Sequence, residues 1–202
     1  ESPEHVIVLS GDHVYKMDYA KMLRFHLEKN AAATLATIEV PIDEGSRFGI
    51  VGVEVTGRVV GFEEKPKRPT SVPGAADVAL ASMGIYIFKA DVLMEVLASD
   101  ATRADSQHDF GKNIIPPLFK ESSVFSYRFY DENKKAAKYW RDIGTLDAYY
   151  EASMDLCQVN PEFNLYDPEW PLRTYQPQAP PAKFVFAEER RRCAQALDSV
   201  IS

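Results

Sequence analysis

The sequence predicts an α/β fold: a sheet of mixed, mostly parallel direction with helices against its faces. Three observations predict it. Short apolar and β-branched runs recur, as at 6–9, 33–40 and 81–88. Stretches with apolar residues at helical spacing lie between them. Gly, Pro and Asn separate the two kinds of segment.

The first strand is Val6-Ile7-Val8-Leu9, which stops at Ser10-Gly11-Asp12-His13. Asp18 can cap a helix through Lys29, with Tyr19, Met22, Leu23 and Leu27 on one side and Asn30 as its stop. Residues 33–40 are rich in β-branched side chains, and Pro41 closes them as a second strand. Residues 50–55 and 58–63 form a hairpin around Thr56-Gly57. Pro66, Pro69, Pro73 and Gly74 make 66–78 a loop, and 81–88 is the next strand. Asp91 caps a short helix with Val92, Leu93, Val96 and Leu97 inward. Asp109 caps another, carrying Ile114, Ile115, Leu118 and Phe119 and disturbed by Pro116 and Pro117. Residues 124–130 alternate as a strand, and Thr145 caps a final helix through Leu156.

After Asn160 the texture changes. Prolines punctuate a stretch without helical period, as in a connector laid over a surface. Residues 184–186 and 197–201 have the composition of short strands, and Glu188-Glu189-Arg190-Arg191-Arg192 between them is a solvated turn or, alternatively, a phosphate patch. The division expected is 1–160 as one domain and 161–202 as connector and the start of another. The chain enters its first strand almost at once and stops in mid-pattern, as a piece cut from a longer protein would.

Composition narrows the partners. Of 202 residues, 46% are hydrophobic, enough for a core and too many for disorder. The formal net charge of −7 argues against a nucleic-acid backbone as partner, though a local cation cluster can still hold a small phosphorylated ligand. Cys157 and Cys193 match no metal spacing, so a reduced, cytosolic compartment is expected. No apolar run has membrane-spanning length, and no signal peptide is recognisable.

Four stretches place charged or small residues at strand or helix ends. Asp12 follows a strand through Gly11, at the sheet edge where α/β folds gather ligands; a turn acid is the plain alternative. In Phe62-Glu63-Glu64-Lys65-Pro66, Lys65 suits a phosphate and Glu64 can accept from hydroxyls, or the two are a surface charge pair. Neighbouring strand residues point to opposite faces, so these two share a ligand only if the strand bends there. Asp109-Phe110-Gly111 invites a kinase reading, but no His-Arg-Asp or Gly-rich nucleotide loop precedes it. In Trp140-Arg141-Asp142-Ile143-Gly144-Thr145, Asp142 either stabilises the following helix or pairs with Asp12 to hold a divalent cation, for which oxygen ligands suit Mg²⁺.

Together the stretches "SGDHVYKMDY", "RFGIV", "GFEEKP", "ASMGIYIF", "SQHDFGKNIIP" and "YWRDIGTLDAYYEAS" resemble the ADP-glucose pyrophosphorylase, or glucose-1-phosphate adenylyltransferase, family over nearly the whole chain. The later "YDPEWPLRTYQPQAPPAKFV" resembles that family's connector into a left-handed β-helix. The resemblance implies a partial Rossmann-like nucleotidyltransferase domain and the reaction of ATP with glucose 1-phosphate to ADP-glucose and pyrophosphate, for glycogen or starch synthesis. It implies Asp12 and Asp142 as Mg²⁺ ligands and, with Lys65, as the catalytic set. It implies Lys65 on the sugar phosphate, Glu64 on the sugar hydroxyls, Gly49 and Ser82 lining the pocket, and Tyr86, Asp109, Phe110 and Trp140 shaping it. It further implies a cytoplasmic, allosteric homotetramer with no nucleic-acid or membrane partner. The family's glycine-rich phosphate loop is not among the ten glycines here, no two of which are adjacent. It is expected upstream, and the chain alone is expected to be inactive. A non-catalytic regulatory subunit of the same fold is the rival; loss of either Asp or of Lys65 would favour it, and all are present. A glycosyltransferase would want an Asp-x-Asp motif after a strand, and none is so placed.

Overall fold

A computed structural model describes residues 2–131 and 136–165, together with 167, 168, 170, 171, 178, 180, 182, 183, 196, 197 and 199. The chain divides into two compact units. One takes residues 1–11 and 17–138, and the other takes 12–16 and 139–202.

The larger unit is built on a seven-stranded sheet. Its strands are β1 (His5–Val8), β3 (Ala33–Pro41), β4 (Gly49–Val53), β5 (Val59–Glu64), β6 (Ser71–Val72), β7 (Ala75–Lys89) and β8 (Val124–Arg128). Four short strands, β2 (His13–Tyr15), β9 (Tyr130–Asp131), β10 (Ala136–Ala137) and β11 (Trp140–Asp142), stand outside that sheet as two separate pairs. β9 and β10 pair with each other, and β2 pairs with β11 in the smaller unit.

Strand direction follows from the register. β7 is antiparallel to β1, β3, β4 and β6; β8 is parallel to β3; β5 is antiparallel to β4. Hence β1, β3, β4, β6 and β8 run one way and β5 and β7 the other. The mixed, mostly parallel sheet expected from sequence is there by direction. By adjacency it differs: the only parallel neighbours among the described strands are β3 and β8, because β7 is interposed.

The helices are α1 (Tyr19–Glu28), α2 (Ala90–Ala101), α3 (Ile115–Glu121) and α4 (Leu146–Leu156). α1 lies against β3 and β8, α2 against β7 and β1, and α3 against β5. Asp18 caps α1 by accepting from the Ala20 N–H at 3.0 Å. Met22 and His26 are its buried residues, while Leu27 is 53% exposed, about a quarter-turn past the buried line rather than on it. α2 starts two residues earlier than expected: Lys89 is its cap and Asp91 stands within the first turn. Pro116 and Pro117 occupy the opening of α3, where a missing N–H costs nothing, so they start the helix rather than disturb it. A π-helical turn over Phe110–Ile114 leads into it, capped by Asp109.

The proline-rich stretch expected as loop holds more order. Val72 pairs with Ala75 across Pro73-Gly74, a two-residue hairpin that feeds β7 six residues before its apolar run begins. β7 also bends. Gly84 has φ +65°, and the β3 register slips opposite it, between Leu35 and Thr37. The turned Gly84 carbonyl accepts from the Ser10 N–H at 3.1 Å, fixing the end of β1. Leu35, Val51, Val59, Leu80, Phe88 and Ile114 are among the buried core of this unit.

No helix among the described residues is long and apolar enough to cross a membrane. The expected strands at 184–186 and 197–201, the charged turn at 188–192 and the β-helix fall largely outside the described residues.

Candidate functional site

The smaller unit brings two distant carboxylates together. β2 and β11 pair antiparallel, with Asp142 opposite His13, and the Ile143 N–H donates to the Asp12 carbonyl at 3.2 Å. Asp12, His13 and Asp142 each offer a ligand atom, and these atoms lie within 4.8 Å of one another. Both carboxylates are exposed. The His13 ring is largely buried, its Nε2 is 3.5 Å from Asp12 Oδ1, and its edge meets Trp140 with ring centroids 5.0 Å apart.

Asp142 is aimed by its own turn. The Gly144 N–H donates to Asp142 Oδ1 at 2.9 Å, and a Cβ at Gly144 would come within 3.1 Å of that oxygen. Thr145, not Asp142, caps α4, accepting from the Ala148 N–H at 3.1 Å. β11 is tied down from α4: Tyr139 Oη and Arg141 Nε donate to Asp155 Oδ2 at 3.0 and 3.3 Å. Burial and then Asp155 push the Tyr139 phenol up to about 12. Two carboxylates and an imidazole nitrogen in this arrangement fit a divalent cation, with the oxygens favouring a hard one.

The larger unit carries the other predicted residues, Trp140 excepted, on β4, β7, the end of β5 and the π-helical turn. Gly49 on β4 stands opposite Glu64 on β5. A Cβ at Gly49 would meet the Phe62 ring at 2.8 Å and Glu64 Oε2 at 3.1 Å. A Cβ at Gly111 would meet the same ring at 2.9 Å. Thus β4, β5 and the π-helical turn converge on Phe62. Ser82 and Tyr86, on either side of the Gly84 bend, bring their hydroxyls to 3.2 Å. Phe110 stacks on Tyr86 at 5.8 Å. Burial pushes the Tyr86 phenol up, and the charges of Asp109 and Glu64 add to the effect.

Lys65 answers the condition set by strand alternation. Its φ is +47°, so the chain turns at that residue, immediately past the end of β5, and its N–H donates to the Phe48 carbonyl at 3.0 Å. The chain turns where Glu64 and Lys65 would otherwise diverge to opposite faces. Both are exposed. Trp140 belongs to the unit of the carboxylate cluster, on β11 opposite Tyr15.

Sequence reasoning missed His13, Phe62 and Gly111. His13 carried a signal, adjacency to Asp12 on a strand exit. Phe62 and Gly111 carried none, because their meeting depends on the packing of the π-helical turn against β5.

A family model described as "Nucleotidyl transferase" matches residues 1–159. The curated relatives include proteins named glucose-1-phosphate adenylyltransferase from Rhodopirellula baltica, 52% identical over 100% of this chain and 46% of the relative, and from Methylobacillus flagellatus, 56% identical over 98% and 47%. Another of that name, from Koribacter versatilis, is 54% identical over 100% of this chain and 48% of its own length. The chain therefore spans about half the length of the curated relatives it matches.

Proposed function

This chain belongs to the nucleotidyl transferase family, and from that premise we propose that the intact protein makes ADP-glucose and pyrophosphate from ATP and glucose 1-phosphate. One observation carries the reading: Asp12 and Asp142, far apart in sequence, converge with His13 on a common point. In this reading the protein supplies ADP-glucose for glycogen or starch synthesis, as a cytoplasmic homotetramer.

A phosphate oxygen of glucose 1-phosphate forms the new bond to the α-phosphorus of ATP, and the bond from that phosphorus to the β-bridging oxygen breaks, releasing pyrophosphate. No protein nucleophile is needed, so the residues position and neutralise. Lys65 offers a point charge to the sugar phosphate, and its bent backbone lets it act beside Glu64, which accepts from sugar hydroxyls. Gly49 lines the pocket wall and leaves room there for Phe62 and Glu64, and Ser82, Tyr86, Asp109 and Phe110 define its shape. Asp12 and Asp142 would hold the cation, Mg²⁺ on the strength of their hard oxygens; when bound, it neutralises charge developing on the phosphates. Trp140 buttresses His13, and through it the orientation of Asp12.

The intact protein should form ADP-glucose on its own when given ATP, glucose 1-phosphate and Mg²⁺. Asp142→Asn should remove most turnover while sparing the fold, since loss of one anionic ligand costs several kcal/mol where charge develops, roughly 100-fold or more in rate. Near-normal rates at low Mg²⁺ would reject the metal role. A wild-type protein inactive alone, but altering the kinetics of a catalytic partner, would establish the regulatory-subunit reading instead.

A further inference from the structure

Asp100 is a buried acid that the proposed reaction does not use. It lies in the last turn of α2, with its side chain only 6% exposed. Both carboxylate oxygens are occupied. Ser106 Oγ donates to Oδ1 at 2.6 Å, and His108 Nδ1 to Oδ2 at 2.7 Å. These bonds, Ser106 first, hold the carboxyl below the usual carboxylate range. A buried charge kept this way commits the groups that satisfy it.

Those groups sit in the short loop between α2 and the π-helical turn. The His108 N–H donates to Ser106 Oγ at 3.0 Å, so one hydroxyl serves both the acid and the backbone. His108 has φ +55°, a left-handed conformation that costs an ordinary residue on the order of 1 kcal/mol and persists only where its surroundings impose it. Its ring is 59% exposed, so apolar packing does not impose it; the bond to Asp100 does.

The next residue is Asp109. Its Oδ1 accepts from the Lys112 N–H at 2.9 Å, its carbonyl from the Asn113 N–H at 2.8 Å, and its N–H donates to Asn113 Oδ1 at 3.3 Å. The direction in which the chain leaves His108 therefore fixes Asp109, and with it Phe110 on Tyr86 and Gly111 on Phe62.

We propose that Asp100 is a positioning residue, which through Ser106 and His108 holds the strained turn that places Asp109, and with it Phe110 and Gly111, at the wall of the sugar-phosphate pocket and so sets affinity for that substrate. The inference rests on the reading of that pocket given above, and it adds a residue remote from the substrate. Asp100→Asn is nearly isosteric but removes the charge that holds the His108 ring.

The test uses the intact protein with Asp100→Asn, Ser106→Ala and His108→Ala. Each variant should raise KM for glucose 1-phosphate about tenfold while KM for ATP stays within about twofold. Amide hydrogen exchange over 106–113 should accelerate, with α4 unchanged. His108→Asn tolerates φ > 0 and keeps a donor for Asp100, so it should stay within about threefold of wild type; His108→Val, which resists that conformation, should reproduce the loss. Should Asp100→Asn fail to fold, the other variants carry the test. Unchanged exchange over 106–113, or equal rises in both KM values, overturns the proposal. If the wild-type protein makes no ADP-glucose, the reading of the pocket fails, and hydrogen exchange alone judges whether Asp100 holds the turn.

Discussion

Gly49 owes its identity to its neighbours rather than to its backbone. The Phe62 ring and the Glu64 carboxylate occupy the space a methyl group would need. Gly49→Ala should therefore displace Phe62 or Glu64 and cost about 1–3 kcal/mol of stability. It should also raise KM for glucose 1-phosphate more than KM for ATP. Thermal unfolding and steady-state kinetics on the intact protein check both, and Phe62→Leu in the same chain should restore much of the lost stability. A Gly49→Ala protein as stable as wild type would mean that the ring swings away freely. The same residue shows where sequence reading stops. Asp12, Asp142, Glu64 and Lys65 announced themselves as charges at strand and helix ends. Phe62 reads as one more alternating apolar residue, because its importance lies in what two distant glycines lack.

α4 begins four residues after Asp142, and the tight turn between them belongs to both the helix and the carboxylate. Thr145→Ala removes the acceptor for the Ala148 N–H and should cost about 1 kcal/mol, while Thr145→Ser should cost little. Because the Gly144 N–H that holds Asp142 lies next to the cap, the alanine variant should also need more Mg²⁺ for half-maximal activity. An unchanged Mg²⁺ requirement would separate the cap from the cluster. α1, β3 and α4 were legible to within a residue or two, because each carries its own cap, breaker or β-branched run. β2 and β11 were not. Each is three residues long, and neither has a pattern until the other lies beside it. β6 and the first residues of β7 were hidden for a different reason: Pro73 and Gly74 read as part of one long loop in a proline-rich stretch, yet they form a hairpin turn.

At the scale of the molecule, stability should fall in mild acid through a group that is not part of the carboxylate cluster. His26 is fully buried on α1, its Nδ1 bonded to Thr34 Oγ1 at 2.8 Å and its ring edge-on to His5. Burial, with the positive charges of His5 and Lys89, lowers it from 6.5 to about 4. The folded protein then binds fewer protons than the unfolded chain between those values. Its contribution is full above pH 6.5 and is lost as the pH falls through 4, on the order of 3 kcal/mol. Urea unfolding at pH 7.5 and pH 4.5 measures it, and His26→Gln should flatten the difference; an equal drop in that variant would assign the acid sensitivity elsewhere.

The long strand β7 carries a consequence for how the protein is made. It is the partner of β1, β3, β4 and β6, and it is completed only at Lys89. On the ribosome, the β4–β5 hairpin can close as soon as it emerges, but β1 and β3 must wait. At about 5–20 residues per second, the stretch from His5 to Lys89 leaves them as open edges for several seconds. Yield during overexpression should therefore depend on what shelters the nascent chain in that interval, and cooler growth or more abundant chaperone should recover more soluble protein than any change to the finished surface.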